Sequence, residues 1–393
     1  MLLLLYNLIG VEAMVNFEFS ESQLQIQEMA RKFAREEILP SVIERDIKAE
    51  YPNEILKKLG DLGFLGMMVS SDYGGVALDA VSYVLALEEI AKVDASIGIT
   101  ISVQNSLINW IFETYASDYL KEKYLPKLAS GELIGAYCLS EPEAGSDARG
   151  ITTNAVKKGD KWVLNGTKNW ISMGKNADIY VVFAQTNPEL KHKGFACFVI
   201  EKNTDGFVPG LKEDKMGMRS SDTTSIGITN VEVSDNDMIG NLGEAFYIAM
   251  NGLNGGRIGI AAQSVGIAQG AFELALKYSK ERKTMGKYIS EHQLIQAKLA
   301  QMSMKIDAAR LLVLKAAWLK DNNLDHIKEA SQAKLFASTI ANEVAREAVQ
   351  IHGGYGYVRE YHVERMLRDA KVTEIYEGTS EIQHLVIARE LLK

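Results

Sequence analysis

The sequence predicts a mainly α-helical protein with a central β-domain, and three observations predict it. Capping patterns and apolar periodicity run through the first third of the chain. Short β-branched or aromatic runs bounded by turn residues fill the middle, and none of the six prolines lies beyond Pro209. An interior proline removes a backbone hydrogen bond and clashes with the preceding turn, so a proline-free C-terminal half points to long uninterrupted helices. At 393 residues the chain also exceeds one ordinary core. The reading divides it into an N-terminal helical domain over 14–132, a central β-domain over 133–243 and a C-terminal helical bundle over 244–393.

Ser20 with Gln23 forms a capping-box pattern and starts a helix carrying Leu24, Met29, Phe33 and Ile38, which Pro40 ends. Further helical segments are expected over 53–62, 77–92, 96–115 and 117–130. In the middle, Trp162–Leu164 lies between the turn dipeptides Gly159-Asp160 and Asn165-Gly166. Runs at 179–185, 195–201, 225–230 and 231–233 complete a mostly antiparallel sheet whose turns would hold a ligand. Past Glu244, Val265, Ala268, Phe272 and Ala275 share one helix face, yet Ile267, Ala271 and Leu274 are apolar too, so this helix is expected to be buried on several sides. Ile295, Leu299, Met302, Ile306, Ala309, Val313 and Ala316 then alternate steps of four and three, the seam of a bundle or of a subunit interface. A third long helix is expected over 325–351, and a fourth from Ser380, where Ser380 and Gln383 repeat the capping-box pattern.

Composition excludes several functions. Hydrophobic residues at 47% and charged residues at 24% match a soluble globular protein. The excess of 51 acids over 43 bases gives −8, which opposes nucleic-acid binding through phosphate neutralisation. Cys138 and Cys197 lack paired spacing, so a reduced cytoplasmic setting is expected. The six histidines form no HxxxH or HExxH spacing, leaving metal chemistry without support. The run Leu2–Leu5 precedes the first basic residue, Arg31, and is too short to span a membrane. It reads as neither signal, transit nor transmembrane segment. Met14 reads as the natural start, which an intact mass of the native protein would check.

Five stretches carry candidate chemistry. In Ile375–Gln383 (IYEGTSEIQ), Glu377 sits just before a helix start whose free N–H groups suit an anion, and Gly378 permits unusual dihedrals. Glu377 reads as a general base or as a solvated loop acid. Tyr137–Ala148 (YCLSEPEAGSDA) offers the hydroxyls of Ser140 and Ser146 and an open Gly145, suited to a phosphate, or serves as a plain polar loop. Lys168–Ser172 (KNWIS) holds Trp170, which reads as core or as a cover for a flat cofactor. Glu281–Lys287 (ERKTMGK) compensates a helix dipole or sends the Arg282 guanidinium to a pyrophosphate. Gln350–Tyr357 (QIHGGYGY) is a glycine-terminated helix end and not a GxGxxG turn. His352 and His384 read as packed or surface histidines.

Taken together, in this order and over about 17–392, these motifs resemble the acyl-CoA dehydrogenase family of flavoproteins. The resemblance implies an N-terminal helical domain, a β-domain and a C-terminal four-helix bundle, with FAD between them in a homotetramer. It implies α,β-dehydrogenation of an acyl-CoA in fatty-acid β-oxidation, with electrons passed to an electron-transferring flavoprotein. Glu377 then resembles the base that removes the pro-R α-proton while the β-hydrogen leaves as hydride to flavin N5. By the same resemblance Tyr137, Leu139, Ser140, Gly145, Ser146, Trp170, Ile171 and Ser172 line the flavin and its pyrophosphate. Arg282, Gln293 and Gln350 with Gly353 and Gly354 resemble segments that reach a neighbouring subunit's FAD, and Thr379, Ser380 and Glu381 those near its phosphates. Ser146, Asn254, Arg257 and Gly378 are expected on the substrate side. Relatives that carry their base on the helix of Arg257 have an acid there, where this chain has Gly255 and Gly256. The GGRIGIA run and the ending resemble the short-chain, butyryl-type branch, with pocket depth set by 99–110. His352 departs from the apolar residue usual in its motif. Competing readings are an oxidase-like relative that uses oxygen and a non-catalytic helical scaffold retaining the fold.

Overall fold

The computed structural model describes residues 18–393; the reading of Met14 as the start lies outside the described residues. Ser20 caps α1 (Glu21–Phe33) with both halves of the expected capping box in place. Pro40 does not end this helix. The chain runs on through a π-turn at Ala34–Ile38 and a 3-10 turn at Leu39–Ser41 into α2 (Val42–Lys48), with Pro40 at the start of that 3-10 turn, where its missing N–H costs nothing. Helices α3 (Asn53–Asp61), α4 (Ala80–Ala91), α5 (Ala95–Val103), α6 (Trp110–Tyr115) and α7 (Asp118–Ala129) follow.

The helix expected over 96–115 is interrupted by a π-turn at Gln104–Asn109. Its polar side chains pin the surroundings. Gln104 exchanges two hydrogen bonds with the backbone of Gly135, Asn105 bonds the Phe64 carbonyl and the Met67 N–H, and Asn109 bonds the Leu65 carbonyl. Such π-turns recur at functional sites.

The sheet of the middle region has strand order β1-β4-β2-β3-β7-β6, with β5 on the other edge of β4. Its strands are β1 (Gly135–Cys138), β2 (Asn154–Lys158), β3 (Lys161–Ser172), β4 (Ile179–Gln185), β5 (Phe195–Glu201), β6 (Phe207–Lys212) and β7 (Thr223–Ser234). Pairing is antiparallel except that β1 and β2 run parallel to β4. Asn165-Gly166 is not a hairpin turn. It is a bulge inside β3, where a Cβ on Gly166 would lie 2.4 Å from Thr153 Oγ1, so only glycine allows the approach. The runs at 225–230 and 231–233 likewise form one strand, β7, bent at Asn230 with φ 52°.

The C-terminal region comprises α8 (Ala245–Glu281), a hairpin of β8 (Lys283–Thr284) and β9 (Lys287–Tyr288), α9 (Gln293–Asp321), α10 (Ile327–His352), α11 (His362–Val372) and α12 (Ser380–Leu391). As expected, α8 is buried on several sides. The α9 seam from Met302 to Ala316 lies in the core, with Ile295 and Leu299 partly buried at its start. The cap of α12 is Thr379, whose hydroxyl accepts from Ile382 N at 3.3 Å. Ser380 is already helical, so the expected box is not formed, and the side chain of Gln383 is free to turn inward.

A buried ion pair ties the middle region together. Lys168, fully buried, donates to Glu141 Oε1 at 2.8 Å and to the Leu139 carbonyl at 3.1 Å. Glu141 also accepts from the N–H groups of Thr152 and Thr153. Removing one partner leaves an uncompensated buried charge, so Lys168→Met is expected to lower stability by about 3–5 kcal/mol. A denaturant titration checks this.

Candidate active site

The site is assembled where α8, α10 and the loop before α12 meet. Glu377 and Gly378 both occupy the left-handed region, at φ 56° and 90°. That turn drives the Glu377 side chain back against α8. A Cβ built on Gly256 would lie 2.2 Å from Glu377 Oε2, so the carboxylate occupies the space a side chain at 256 would need. Oε2 is buried without a hydrogen-bond partner.

Electrostatics follow from this placement. Burial pushes the Glu377 carboxyl up to about 7, against the opposing pull of Arg257 and Lys334. The buried guanidinium of Arg257 is pushed down to about 10 by burial; its Nη1 donates to Asn254 Oδ1 at 2.7 Å. Lys334, also buried, is pushed down to about 8 by burial and donates to the Gly378 carbonyl at 2.7 Å. Because the folded protein favours the protonated Glu377, its contribution to stability is present below the ordinary carboxylate range and lost as pH rises through about 7. The role of base expected for Glu377 needs the ionised form and so runs the other way, giving an ascending limb near pH 7. The pH profile of anaerobic flavin reduction checks it.

Tyr137 on β1 donates to the Ala249 carbonyl at 3.3 Å and meets Phe183 edge-on at 5.1 Å. The Ser140 carbonyl accepts from Asn169 N at 2.9 Å, which joins the loop after β1 to β3. A second irregularity in β3, between Lys168 and Ile171, gives Trp170 a φ of 60° and turns its ring outward, 61% exposed. Trp170 is therefore not core, while Ile171 beside it is buried and Ser172 half-buried. Leu139 is buried, Gly145 and Ser146 are exposed, and nothing lies within 4 Å of a Cβ on Gly145. An exposed indole, an open glycine, free hydroxyls and an orphaned carboxylate oxygen fit a flat, phosphate-bearing cofactor.

Arg282, Gln293, Gln350, Gly353 and Gly354 are all exposed, apart from the Glu377 site. Arg282 lies over the Tyr355 ring at 5.5 Å, and His352 stacks on Tyr278 at 4.3 Å with Nδ1 bonded to the Ala348 carbonyl. His352 is thus a packed histidine. Thr379 and Ser380 are half-buried and Glu381 is exposed, one turn from Glu377.

Family models of the acyl-CoA dehydrogenase N-terminal, middle and C-terminal domains match residues 20–132, 136–231 and 243–392. The chain belongs to the acyl-CoA dehydrogenase family. It is 44% identical to the short-chain specific acyl-CoA dehydrogenase of Clostridium acetobutylicum, over 96% of this chain and 100% of that one. The solved butyryl-CoA dehydrogenase of Megasphaera elsdenii superposes with a TM-score of 0.95 at 43% identity, covering 96% of this chain and 100% of that one. A chain solved in work on the electron transferring flavoprotein of Acidaminococcus fermentans is 45% identical with a TM-score of 0.95, over 96% of this chain and 100% of that one. This acyl-CoA dehydrogenase is an FAD-dependent oxidoreductase acting on CH–CH groups.

Sequence reasoning missed three members of its site. Gly256 was weighed only for the acid it lacks, Gln383 only as a cap, and Lys334 not at all. Lys334 had a signal: with Ala330, Ala337, Ala341 and Ala348 it shares the inward face of α10, a lone cation on a stripe of alanines.

Proposed function

We propose that the enzyme converts a short-chain acyl-CoA to the trans-2-enoyl-CoA, with Glu377 as the base that takes the α-proton. The observation that carries this reading is the half-buried Glu377, whose Oε2 is buried against Gly256 without a hydrogen-bond partner. A desolvated carboxylate is a stronger base than a hydrated one, and its raised proton affinity suits a weakly acidic C–H. Arg257 favours the ionised form before reaction, and by resemblance to the family the backbone N–H of Glu377 would donate to the thioester carbonyl as enolate-like charge develops. Bound FAD supplies an acceptor for the β-hydride at N5. Tyr137, Leu139, Ser140, Gly145, Ser146, Trp170, Ile171 and Ser172 would hold it, with Thr379, Ser380 and Glu381 toward its phosphates. Asn254, Arg257, Gly378 and Ser146 would face the thioester.

The short-chain preference rests on resemblance to relatives named for short-chain and butyryl substrates. It is also supported by packing: every residue from Ile99 to Asn109 is buried, and Leu107 and Trp110 close on α8 at Gly252. The test is a panel of acyl-CoAs of increasing length, scored by anaerobic flavin bleaching. Butyryl-CoA should bleach fastest, and a maximum at long chains would refute the preference.

An electron-transferring flavoprotein is the proposed acceptor; little peroxide under air and rapid reoxidation by that protein are expected. A homotetramer is supported by the outer face of α9, where Met304, Leu311 and Trp318 recur every seventh residue and are 64%, 51% and 54% exposed. The exposed Arg282, Gln293, Gln350, Gly353 and Gly354 would then reach a neighbour's cofactor. A cytoplasmic setting agrees with two free, buried cysteines. No described helix is long and apolar enough to cross a membrane.

A further inference from the structure

Glu377 carries a side chain in a backbone region that side chains rarely adopt, and Gly378 continues the same hand. Such a pair persists only where its surroundings over-determine it. Two fully buried side chains do so. Lys334 Nζ donates to the Gly378 carbonyl at 2.7 Å, and Gln383 Nε2 donates to the same oxygen at 2.8 Å and to the Glu377 carbonyl at 3.3 Å. They arrive from α10 and α12, so the loop is gripped from two elements.

Although fully buried, Lys334 gives its hydrogen bond to the Gly378 carbonyl and makes no ion pair within salt-bridge distance among the described residues. A buried ammonium normally has a carboxylate partner, because desolvating it alone is costly. The carboxylate whose field it feels most is that of Glu377, ahead of Glu374 and Glu381. Arg257 on α8, Tyr83 on α4, Tyr137 on β1 and Tyr376 on the same loop complete the titratable groups that sense Glu377.

We infer that Lys334 and Gln383 are positioning residues for the base: they clamp the Gly378 carbonyl and thereby fix the left-handed turn that aims the Glu377 carboxylate at α8. Lys334 adds a second action through its charge, which favours the ionised carboxylate. Gln383, being neutral, acts through geometry alone. This inference rests on the reading of Glu377 as base.

The split between the two actions is what an experiment can read. Full-length holoenzyme is compared with Lys334→Met and Gln383→Leu by anaerobic flavin bleaching with butyryl-CoA across pH. Infrared difference spectra of the resting enzymes follow the protonation of Glu377 directly, its carboxyl band being assigned by its loss in Glu377→Gln. Lys334→Met is expected to raise the ascending midpoint and the infrared midpoint together by about one pH unit. Its limiting rate should fall by about 10- to 100-fold. Gln383→Leu should lower the limiting rate about tenfold with both midpoints unmoved. Wild-type rates in both variants, or a wild-type infrared midpoint in Lys334→Met, would overturn the inference. Should Lys334→Met fail to fold, Gln383→Leu still decides the positioning claim, and a wild-type rate there would overturn it. Full bleaching by Glu377→Gln is a separate failure, of the base and not of the clamp.

Discussion

Glu377→Gln is expected to keep the bound FAD and the fold while lowering flavin bleaching by butyryl-CoA by at least about 10³-fold. Glutamine is nearly isosteric, so the space against Gly256 stays filled and no cavity opens. What is lost, on the proposed reading, is the group that accepts the α-proton. The effect should fall on the limiting rate of bleaching, with substrate affinity close to that of the parent, because the amide preserves shape and removes only basicity. The substitution also removes a group whose ionisation opposes folding above pH 7, so the variant should be at least as stable as the parent at pH 8. Paired measurements of rate and thermal midpoint separate this from a general loss of structure.

Gly256→Ala is the second large effect and the more unusual one. A single methyl group placed 2.2 Å from Glu377 Oε2 cannot coexist with the carboxylate as it stands. The backbone of α8 is held by packing along its whole length, so the side chain that yields is Glu377. Displacing a catalytic group by about 1 Å costs about 10²-fold, and that loss is expected in the bleaching rate with FAD retained. Helix propensity favours alanine over glycine by about 1 kcal/mol, so stability should hold or rise as activity falls. An active and unaltered Gly256→Ala enzyme would show that the carboxylate works from elsewhere.

Much of the architecture was legible because local and global preferences agree. Strands β4 and β5 stand at the expected 179–185 and 195–201, where continuous apolar runs are bracketed by turn residues. The misreadings occur where tertiary contacts override a local signal. Asn165-Gly166 has a strong hairpin propensity, yet β2 and β7 pair on both sides of it and Thr153 presses on the glycine, so it stays extended as a bulge. Helix α11 was missed because its inward face mixes Val363, Met366 and Ala370 with the buried pair Arg365–Asp369, which blurs the apolar periodicity. Strands β1, β2 and β6 are short, and β1 pairs with β4, which is distant in sequence.

The candidate site divides the same way. Glu377 stands out in the sequence because a distinctive segment surrounds it. The contacts that give it its chemistry were not, because they are made through space by Gly256 and Lys334, which stand on helices far from it in the chain. Trp170 shows the converse, an aromatic residue whose exposure depends on a strand irregularity that no local pattern announces.

The account turns on the Glu377 carboxylate taking the proton next to the thioester, and exchange of that proton with solvent reads it most directly. Butyryl-CoA labelled with deuterium at the α-carbon is incubated with holoenzyme without air, and label loss is followed for the parent and Glu377→Gln. The parent should wash out the label with a rate that rises through about pH 7, and the variant should retain it. Wash-out by the variant at the parent's rate would place the base on another residue.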